Sequence, residues 1–207
     1  MFRWEVMSAL ADQKLLGVVR AGSPEEAAQL AHRLLGAGLR CVEVAFTTPS
    51  AARAIREVVA SAPPGAVIGA GTVLSAADAA AAVEAGARFL VAPDLSEEVV
   101  AAAHHHGVPV MPGVGSVTEL RRALRLGADA AKLFPAAHFG PQWLRDVRAA
   151  LPHVPVVPTG GVTAESVPDW LAAGAVACGL GSWLTGGDDA TASERVGQVL
   201  MAAGTAR

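Results

Sequence analysis

The fold is decided by the segment Leu126-Gly127-Ala128-Asp129-Ala130-Ala131-Lys132-Leu133-Phe134. A stretch of helical spacing ends there at a glycine, and an apolar run of strand character follows directly. Three similar junctions occur elsewhere, at Ala37-Gly38-Leu39, Ala85-Gly86-Ala87 and Ala173-Gly174-Ala175. Glycine suits the left-handed residue that follows the C-terminus of a helix. Strand–helix units therefore repeat along the chain at a distance of roughly 20–26 residues, which is the length of a minimal unit of this kind.

Apolar runs alternate with Ala-rich stretches of helical spacing along the whole chain. The expected strands are Leu15–Val19, Leu39–Phe46, Ala66–Gly69, Arg88–Ala92, Val108–Met111, Asp129–Phe134, Val154–Pro158 and Ala175–Gly179. The expected helices are Glu25–Leu35, Ala51–Ala60, Ala76–Ala85, Glu97–His105, Val117–Leu126, Gln142–Leu151 and Ala164–Ala173. Ser23, Ser75 and Ser96 supply capping hydroxyls at helix starts. Continuous apolar strands followed by amphipathic helices are typical of parallel strands buried on both faces.

This alternation favours an α/β fold, a single (β/α)8 TIM barrel over residues 1–207. An extra N-terminal helix over Trp4–Ala11 precedes the first strand, and Ser193–Ala203 closes the fold. An open doubly wound sheet is the alternative, and it requires a glycine-rich phosphate loop after the first strand. Val18-Val19-Arg20-Ala21-Gly22 has no such glycine series.

The composition excludes several classes of protein. The chain has 16 basic and 19 acidic residues and a net charge of −3, so no positive excess drives binding to nucleic acid or to a membrane surface. Its 52% hydrophobic content argues against disorder. Cys41 and Cys178 lie far apart in apolar runs, which fits buried free thiols rather than disulfides or a zinc site. The charged start Met1–Glu5 has no signal-peptide core, so we expect a cytoplasmic protein.

Lys132 is the most informative polar residue, because it lies in the apolar run Ala130–Phe134. The only other lysine is Lys14, and the remaining 14 basic residues are arginines. A buried ammonium either pairs with a carboxylate or loses its proton, and a neutral buried lysine can attack a ketone to form a Schiff base. From position alone, a lysine that reaches solvent or forms a structural ion pair is an equally good interpretation.

Glu43 presents the same problem with the opposite charge, in Cys41-Val42-Glu43-Val44-Ala45-Phe46. A carboxylate between apolar neighbours suits a general base or a charge partner for Lys132. A structural ion pair inside the barrel is the other interpretation.

Two glycine-rich turns follow the last two expected strands, Thr159-Gly160-Gly161 and Gly179-Leu180-Gly181-Ser182. Backbone N–H groups at such turns approach anions closely, and loops at these positions are the usual phosphate site of barrel enzymes. The pair favours phosphate binding over simple tight turns. His104-His105-His106 is not expected to bind a metal, because consecutive helix residues point in different directions.

The lysine segment, Gly127-Ala128-Asp129-Ala130-Ala131-Lys132-Leu133-Phe134-Pro135-Ala136 followed by Gly140, resembles the Schiff-base signature of the KDPG (2-dehydro-3-deoxy-phosphogluconate) aldolases. That family includes the KHG (4-hydroxy-2-oxoglutarate) and phosphogalactonate aldolases. The resemblance extends to Val42-Glu43-Val44, Gly69-Ala70-Gly71-Thr72-Val73-Leu74, Met111-Pro112-Gly113, Pro158-Thr159-Gly160-Gly161-Val162 and Gly181-Ser182-Trp183-Leu184.

The resemblance implies a class I aldolase that acts on a small 2-keto-4-hydroxy acid, without metal or cofactor, as a homotrimer. Lys132 would form the imine with the substrate ketone, and Glu43 would be the acid/base. The expected substrate contacts are Thr72 and Thr159 at the pyruvyl carboxylate, Phe134 at the pyruvyl group, Gly160, Gly161 and Ser182 at the phosphate, and Arg20 as a further anion contact. Pro93 and Gly181 are expected substrate-binding residues without a more specific role.

Departures from the family pattern leave the substrate open. After Val44 the phosphogluconate enzymes usually read Thr-Leu-Arg-Thr, but this chain has Ala45-Phe46-Thr47-Thr48 and lacks the arginine. Many members have Ser-Pro-Gly where this chain has Ala92-Pro93-Asp94. The segments Phe139–Trp143 and Gly179–Ser182 are closer to the phosphogalactonate branch. A metal-dependent class II aldolase, a phosphate-handling barrel isomerase and a non-catalytic phosphosugar-binding protein are the rival functions.

Overall fold

The protein is described by a computed structural model that covers residues 1–187 and 189–205. Its strands are β1 (Leu15–Val19), β2 (Cys41–Ala45), β3 (Val67–Gly71), β4 (Leu90–Val91), β5 (Val110–Met111), β6 (Gly113–Val114), β7 (Ala131–Leu133), β8 (Val156–Pro158) and β9 (Cys178–Leu180). Its helices are α1 (Arg3–Gln13), α2 (Pro24–Gly36), α3 (Ala51–Ser61), α4 (Ala76–Glu84), α5 (Glu97–His105), α6 (Val117–Arg125), α7 (Gly140–Ala150), α8 (Val167–Ala172), α9 (Ser182–Thr185) and α10 (Asp189–Ala202), with a short 3₁₀ helix over Ala136–His138.

The strands are parallel and follow the chain order around a curled sheet. One sheet has the order β5-β4-β3-β2-β1-β9, and a second has the order β6-β7-β8. Pro112 alone separates β5 from β6, and a parallel bridge between Thr159 and Gly179 links the ends of the two sheets beyond β8. The fold is therefore an α/β fold with a parallel sheet, as the alternation of apolar runs and helices predicts.

Every expected strand and helix has a counterpart, and the structure adds β6 and α9, which the sequence did not predict. Each expected strand overlaps an observed one. Several observed strands are shorter, such as β4, whereas β3 and β9 extend past the expected ends at Gly69 and Gly179. The closing helix begins at Asp189, four residues before the expected Ser193, and the N-terminal helix extends to Gln13.

Helix ends are fixed by the capping residues that the sequence indicates. The hydroxyls of Ser23, Ser75 and Ser96 each accept a hydrogen bond from the backbone N–H three residues later. Ser116 caps α6 in the same way. The four junction glycines have positive φ, from +88° to +110°, which confirms the left-handed residue predicted after each helix.

The two faces of the sheet have separate apolar clusters, because successive strand residues point to opposite faces. One face packs against the outer helices, with residues such as Leu15, Val42 and Ala131. The inner face forms a smaller cluster that α1 covers. We call it the apolar floor: Val6, Leu10, Leu16, Cys41, Val67, Phe89, Val91, Met111, Ala130, Val157 and Ala177.

Beside the floor, the buried amide of Gln13 fixes the start of β2. Its Oε1 accepts hydrogen bonds from the backbone N–H groups of Arg40 (2.6 Å) and Cys41 (2.9 Å), and its Nε2 donates to the carbonyl of Gly38. Cys41 and Cys178 are free and buried, and burial raises the pKa of each thiol to about 12. No described helix combines the length and the apolar character that a membrane span requires.

Candidate active site

The polar residues of the site lie on the inner face of the sheet, directly above the apolar floor. Because strand residues alternate between faces, a residue two positions after a floor residue points to the same interior. Cys41, Ala130 and Val157 are floor residues, so Glu43 and Lys132 are two positions on along β2 and β7. Thr159 follows Val157 in the same way, immediately after β8. The alternation of side chains therefore brings Glu43, Lys132 and Thr159 to the same interior of the sheet.

Lys132 is held deep in the sheet. It pairs with Gly113 of β6 on one side and with Val157 of β8 on the other, and only 5% of its surface is exposed. Its Nζ lies 4.8 Å from the centre of the Phe134 ring. Lys14, in contrast, is half-buried at the other end of β1, where its Nζ contacts the carbonyl of Ala203 at 3.4 Å.

Glu43 is buried, with 1% of its surface exposed. A Cβ on Gly71, its neighbour on β3, would lie 2.3 Å from Glu43 Oε1, so only glycine leaves room for this carboxylate. Its Oε2 is buried without a hydrogen bond to any described residue. Burial raises the pKa of Glu43 above the usual value of a glutamate, although the positive charges of Lys132 and Arg20 oppose the rise. The group is therefore suited to exchange a proton.

A cavity of about 620 Å³ opens above these residues at the carboxyl ends of β1, β7, β8 and β9. The expected site residues among those that line it are Arg20, Lys132, Phe134, Thr159, Gly160, Gly161, Gly181 and Ser182. Glu43, Thr72 and Pro93 are not among the lining residues. Glu43 and Pro93 follow floor residues by two positions, and Thr72 follows β3 directly with a φ of +55°.

The side chain of Thr159 lies close to the backbone of Gly179, as that of Glu43 lies close to the backbone of Gly71. It is 6% exposed, and a Cβ on Gly179 would lie 2.3 Å from its Oγ1. The hydroxyl lies 3.4 Å from the carbonyl of Val157, so it can still turn toward a ligand in the cavity.

The loops above the cavity expose backbone groups at two glycines. Gly160 and Gly161 have φ of +92° and +78°, and a Cβ on them would approach Phe134 at 3.1 Å and Ala137 at 2.5 Å. Phe134 is 38% exposed, and its peptide bond to Pro135 is cis. Because neither glycine carries a Cβ, an anion can approach the N–H groups of this turn closely.

Arg20 extends over the end of β1 toward β2. Its Nε donates a hydrogen bond to Thr47 Oγ1 at 2.9 Å, and the next backbone N–H, of Ala21, donates to Thr48 Oγ1. Thr47 is the position where the phosphogluconate enzymes usually have an arginine. The guanidinium of Arg20 therefore lies beside Thr47, the position at which this chain lacks the family arginine.

Sequence reasoning missed Arg195 of α10, which lines the same cavity. An arginine on an amphipathic helix looks like any surface residue, so no pattern in the sequence distinguishes it. Trp183 packs partly against the core and also lines the cavity.

Two other features do not contribute to this site. A cavity of about 680 Å³ lies at the opposite end of β1, near Gln13 and Arg40, but it contains neither Lys132 nor Glu43. His104 contacts the carbonyl of Gly127 at 3.1 Å, and His105 and His106 are exposed at the end of α5, as the sequence indicates for a surface helix end.

Comparisons with known proteins identify the family of this chain. The family described as "Aldolase: KDPG and KHG aldolase" matches residues 6–199. A 2-dehydro-3-deoxy-phosphogluconate aldolase of Treponema pallidum is 40% identical over 185 residues, covering 86% of this chain and 85% of the relative. A 2-dehydro-3-deoxy-6-phosphogalactonate aldolase of Escherichia coli is 36% identical over 169 residues, covering 81% and 82%.

A solved structure of KDPG aldolase from Legionella pneumophila, with pyruvate captured as a covalent carbinolamine intermediate, superposes with a TM-score of 0.81 at 30% identity. The match covers 96% of both chains. The family match extends over most of the chain and includes all the candidate site residues, from Arg20 to Arg195. This chain belongs to the KDPG and KHG aldolase family and is an aldolase, a carbon–carbon lyase.

Proposed function

We propose that this protein is a class I aldolase that cleaves 2-dehydro-3-deoxy-6-phosphogluconate to pyruvate and glyceraldehyde 3-phosphate through an imine on Lys132. The observation that supports this most is the placement of Lys132, a buried amine at the bottom of a cavity, within the electrostatic influence of the buried carboxyl of Glu43. In its unprotonated form, an amine at this position is a nucleophile toward the ketone of a substrate in the cavity.

The reaction begins when neutral Nζ of Lys132 attacks the C2 ketone, and loss of water from the carbinolamine gives a protonated imine. The imine withdraws electrons from the C3–C4 bond. Glu43, directly or through a water, accepts the proton of the C4 hydroxyl as that bond breaks, and the aldehyde leaves. The enamine is then protonated at C3, and water hydrolyses the imine to release pyruvate and restore the amine.

The raised pKa of Glu43 supports its role as acid and base, because a general base works best when its pKa approaches the working pH. Oε2 has no hydrogen-bond partner among the described residues, so one oxygen of the carboxyl is free to take a proton. Gly71 leaves the space in which this carboxyl lies.

The remaining site residues bind the two anionic ends of the substrate in this proposal. Thr72 and Thr159 hold the pyruvyl carboxylate, and Phe134 and Pro93 pack against the pyruvyl group. The phosphate lies at the backbone N–H groups of Gly160, Gly161 and Gly181 and the hydroxyl of Ser182, with Arg20 as a further cationic contact at the cavity entrance.

Two other substrates use the same chemistry. 4-Hydroxy-2-oxoglutarate would give pyruvate and glyoxylate, and the galactonate epimer of the phosphorylated substrate is the second candidate. Two observations favour the epimer: Phe139–Trp143 and Gly179–Ser182 are closer to the phosphogalactonate branch, and the arginine usual at position 47 is missing. A comparison of kcat/KM for the three compounds ranks them.

We also propose that the parallel strands close into one eight-stranded barrel over residues 1–207. This is supported by the pairing of β9 with β1, by the bridge from Thr159 to Gly179, and by the single residue between β5 and β6.

We propose a homotrimer in the cytoplasm. Exposed apolar side chains such as Leu74 (57%) and Trp4 (68%) support a subunit interface, and light scattering at three times the 20.9 kDa chain mass tests it. The free thiols suit a reducing compartment.

Borohydride reduction in the presence of pyruvate, followed by peptide mapping, tests the mechanism. A reduced pyruvyl adduct on Lys132 is expected in the wild-type protein. Lys14→Met is the matched control, because it removes the only other lysine and should leave the adduct unchanged. An adduct on another residue, or none, rejects the imine mechanism; an isomerase or a non-catalytic binding protein would give none.

A further inference from the structure

Arg195 lines the cavity but has no part in the chemistry proposed above. It is a half-buried residue of α10, and its Nη1 donates hydrogen bonds to the carbonyls of Trp183 (2.9 Å) and Gly186 (2.7 Å). Its guanidinium carbon lies 5.6 Å from the centre of the Trp183 ring. Both hydrogen bonds use Nη1 and hold the planar group in place, and the other N–H donors make no hydrogen bond to the part of the chain that the structure describes.

The charges around the cavity are arranged for two anionic groups. Among the described residues that line it, the charged ones are Arg20, Lys132 and Arg195, all basic. Arg20 reaches toward Thr47, beyond β2, whereas Arg195 lies against the segment that follows β9. Since β1 lies between β2 and β9 in the sheet, the two arginines stand on opposite sides of the carboxyl end of β1.

Lys132 must lose its proton to form an imine, so it cannot serve as a permanent counter-ion. That leaves one permanent cation on each side of the cavity. Arg195 is the one beside Gly181, Ser182 and Gly186, which lie on the same side of the cavity as the Gly160-Gly161 turn. A planar guanidinium with fixed donors binds phosphate oxygens in pairs.

We propose that Arg195 is a specificity-determining residue, which binds the terminal phosphate of the substrate and thereby selects phosphorylated keto acids over unphosphorylated ones. This rests on the proposed aldolase function. Arg195 also holds the Trp183–Gly186 segment in position, so its loss removes both a charge and a support for the phosphate loop.

The test compares Arg195→Met and Arg195→Lys with wild type, using 2-dehydro-3-deoxy-6-phosphogluconate and 4-hydroxy-2-oxoglutarate as substrates. For Arg195→Met we expect kcat/KM for the phosphorylated substrate to fall roughly ten- to hundred-fold more than that for the unphosphorylated one, mainly through KM. The inhibition constant of inorganic phosphate should rise in parallel. Arg195→Lys keeps the charge, so we expect it to recover part of the preference.

Arg121→Met is the matched control, an exposed arginine on α6 away from the cavity, and it should leave the substrate ratio unchanged. Equal losses on both substrates, or no loss on either, would overturn the proposal. If Arg195→Met does not fold, the same ratio measured for Arg195→Lys decides, because a purely structural arginine would lower both activities equally.

Pyruvate trapping separates this inference from the aldolase proposal. Pyruvate carries no phosphate, so borohydride should still trap it on Lys132 in Arg195→Met. If wild type itself forms no adduct, the aldolase mechanism fails. If trapping succeeds but the substrate ratio does not change, the role of Arg195 alone is rejected.

Discussion

The lower and upper halves of the sheet interior use the same strands for opposite purposes. In the lower half the apolar floor is sealed by α1. The upper half carries the polar groups of the site, of which Lys132 and Thr159 line the cavity. The three pairs, each a floor residue with the polar residue two positions on, are Cys41 and Glu43, Ala130 and Lys132, and Val157 and Thr159.

This contrast shows how the fold separates stability from chemistry. Apolar residues in the floor stabilise the protein by burial, at about 25 cal/mol per Å² of apolar surface. Buried charges two residues higher are costly, because desolvation opposes them even when they are close to opposite charges. We therefore expect substitutions in the upper half to affect activity, and substitutions in the floor to affect stability.

The largest effect is expected for Lys132→Met. The variant cannot form an imine, so kcat should fall by roughly 10⁴-fold or more, while the fold persists because methionine fills the apolar strand position. Steady-state kinetics and thermal unfolding measure both. Lys14→Met should keep full activity, and retention of activity in Lys132→Met would contradict the role of the upper half.

Glu43→Gln should have the next largest effect. The amide is isosteric but cannot accept the C4 hydroxyl proton, so we expect kcat to fall about 10²–10⁴-fold. Trapping of pyruvate on Lys132 should still occur, since attack on the ketone needs only the amine. Glu57→Gln, at an exposed position on α3, is the control. Near-normal turnover in Glu43→Gln would assign the proton transfer to another group.

A floor substitution should show the reverse pattern. Leu10 of α1 is 3% exposed, and Leu10→Ala removes buried volume, so we expect the free energy of unfolding to fall by about 2–5 kcal/mol. Urea unfolding measures this change, and kcat/KM of the folded variant should remain near that of wild type. Ser8→Ala, at an exposed position on the same helix, should change stability by less than about 0.5 kcal/mol. A large loss of kcat/KM in folded Leu10→Ala would show that the two halves are coupled.

Most of the fold follows from the sequence, because parallel strands buried on both faces require continuous apolar runs, and helix ends require capping residues. Lys132 and Glu43 stand out for the same reason, since a charge within such a run is costly to bury, although position alone left a structural ion pair open for each. The requirement for glycine at positions 71 and 179 could not be predicted from these patterns. Their role is to leave space for Glu43 and Thr159 on neighbouring strands, which depends on register across the sheet.

Arg195 and the contact between Arg20 and Thr47 were also beyond sequence reasoning. Arg195 lies 63 positions after Lys132 in the chain, and nothing in the sequence of α10 distinguishes it from a surface arginine. Long side chains reach a site from elements whose local sequence reflects only their own packing. Contacts of this kind emerge only when the elements are assembled.

The smallest expected effect is a pH dependence of stability that originates in Glu43. Burial raises its pKa in the folded state, so the folded protein binds this proton more tightly than the unfolded chain does. Stability from this group is therefore present below the ordinary glutamate pKa, about 4.3, and is lost as the pH rises through the folded value. Glu43→Gln cannot titrate, so its free energy of unfolding relative to wild type should increase with pH over that interval and then level off. Urea unfolding of both proteins across the interval measures the difference, with Glu57→Gln as the control that should follow wild type. If the difference in free energy of unfolding between the two proteins stays constant with pH, the charged form of Glu43 is buried without cost. The contrast between a stabilising floor and a costly upper half would then be smaller than the structure implies.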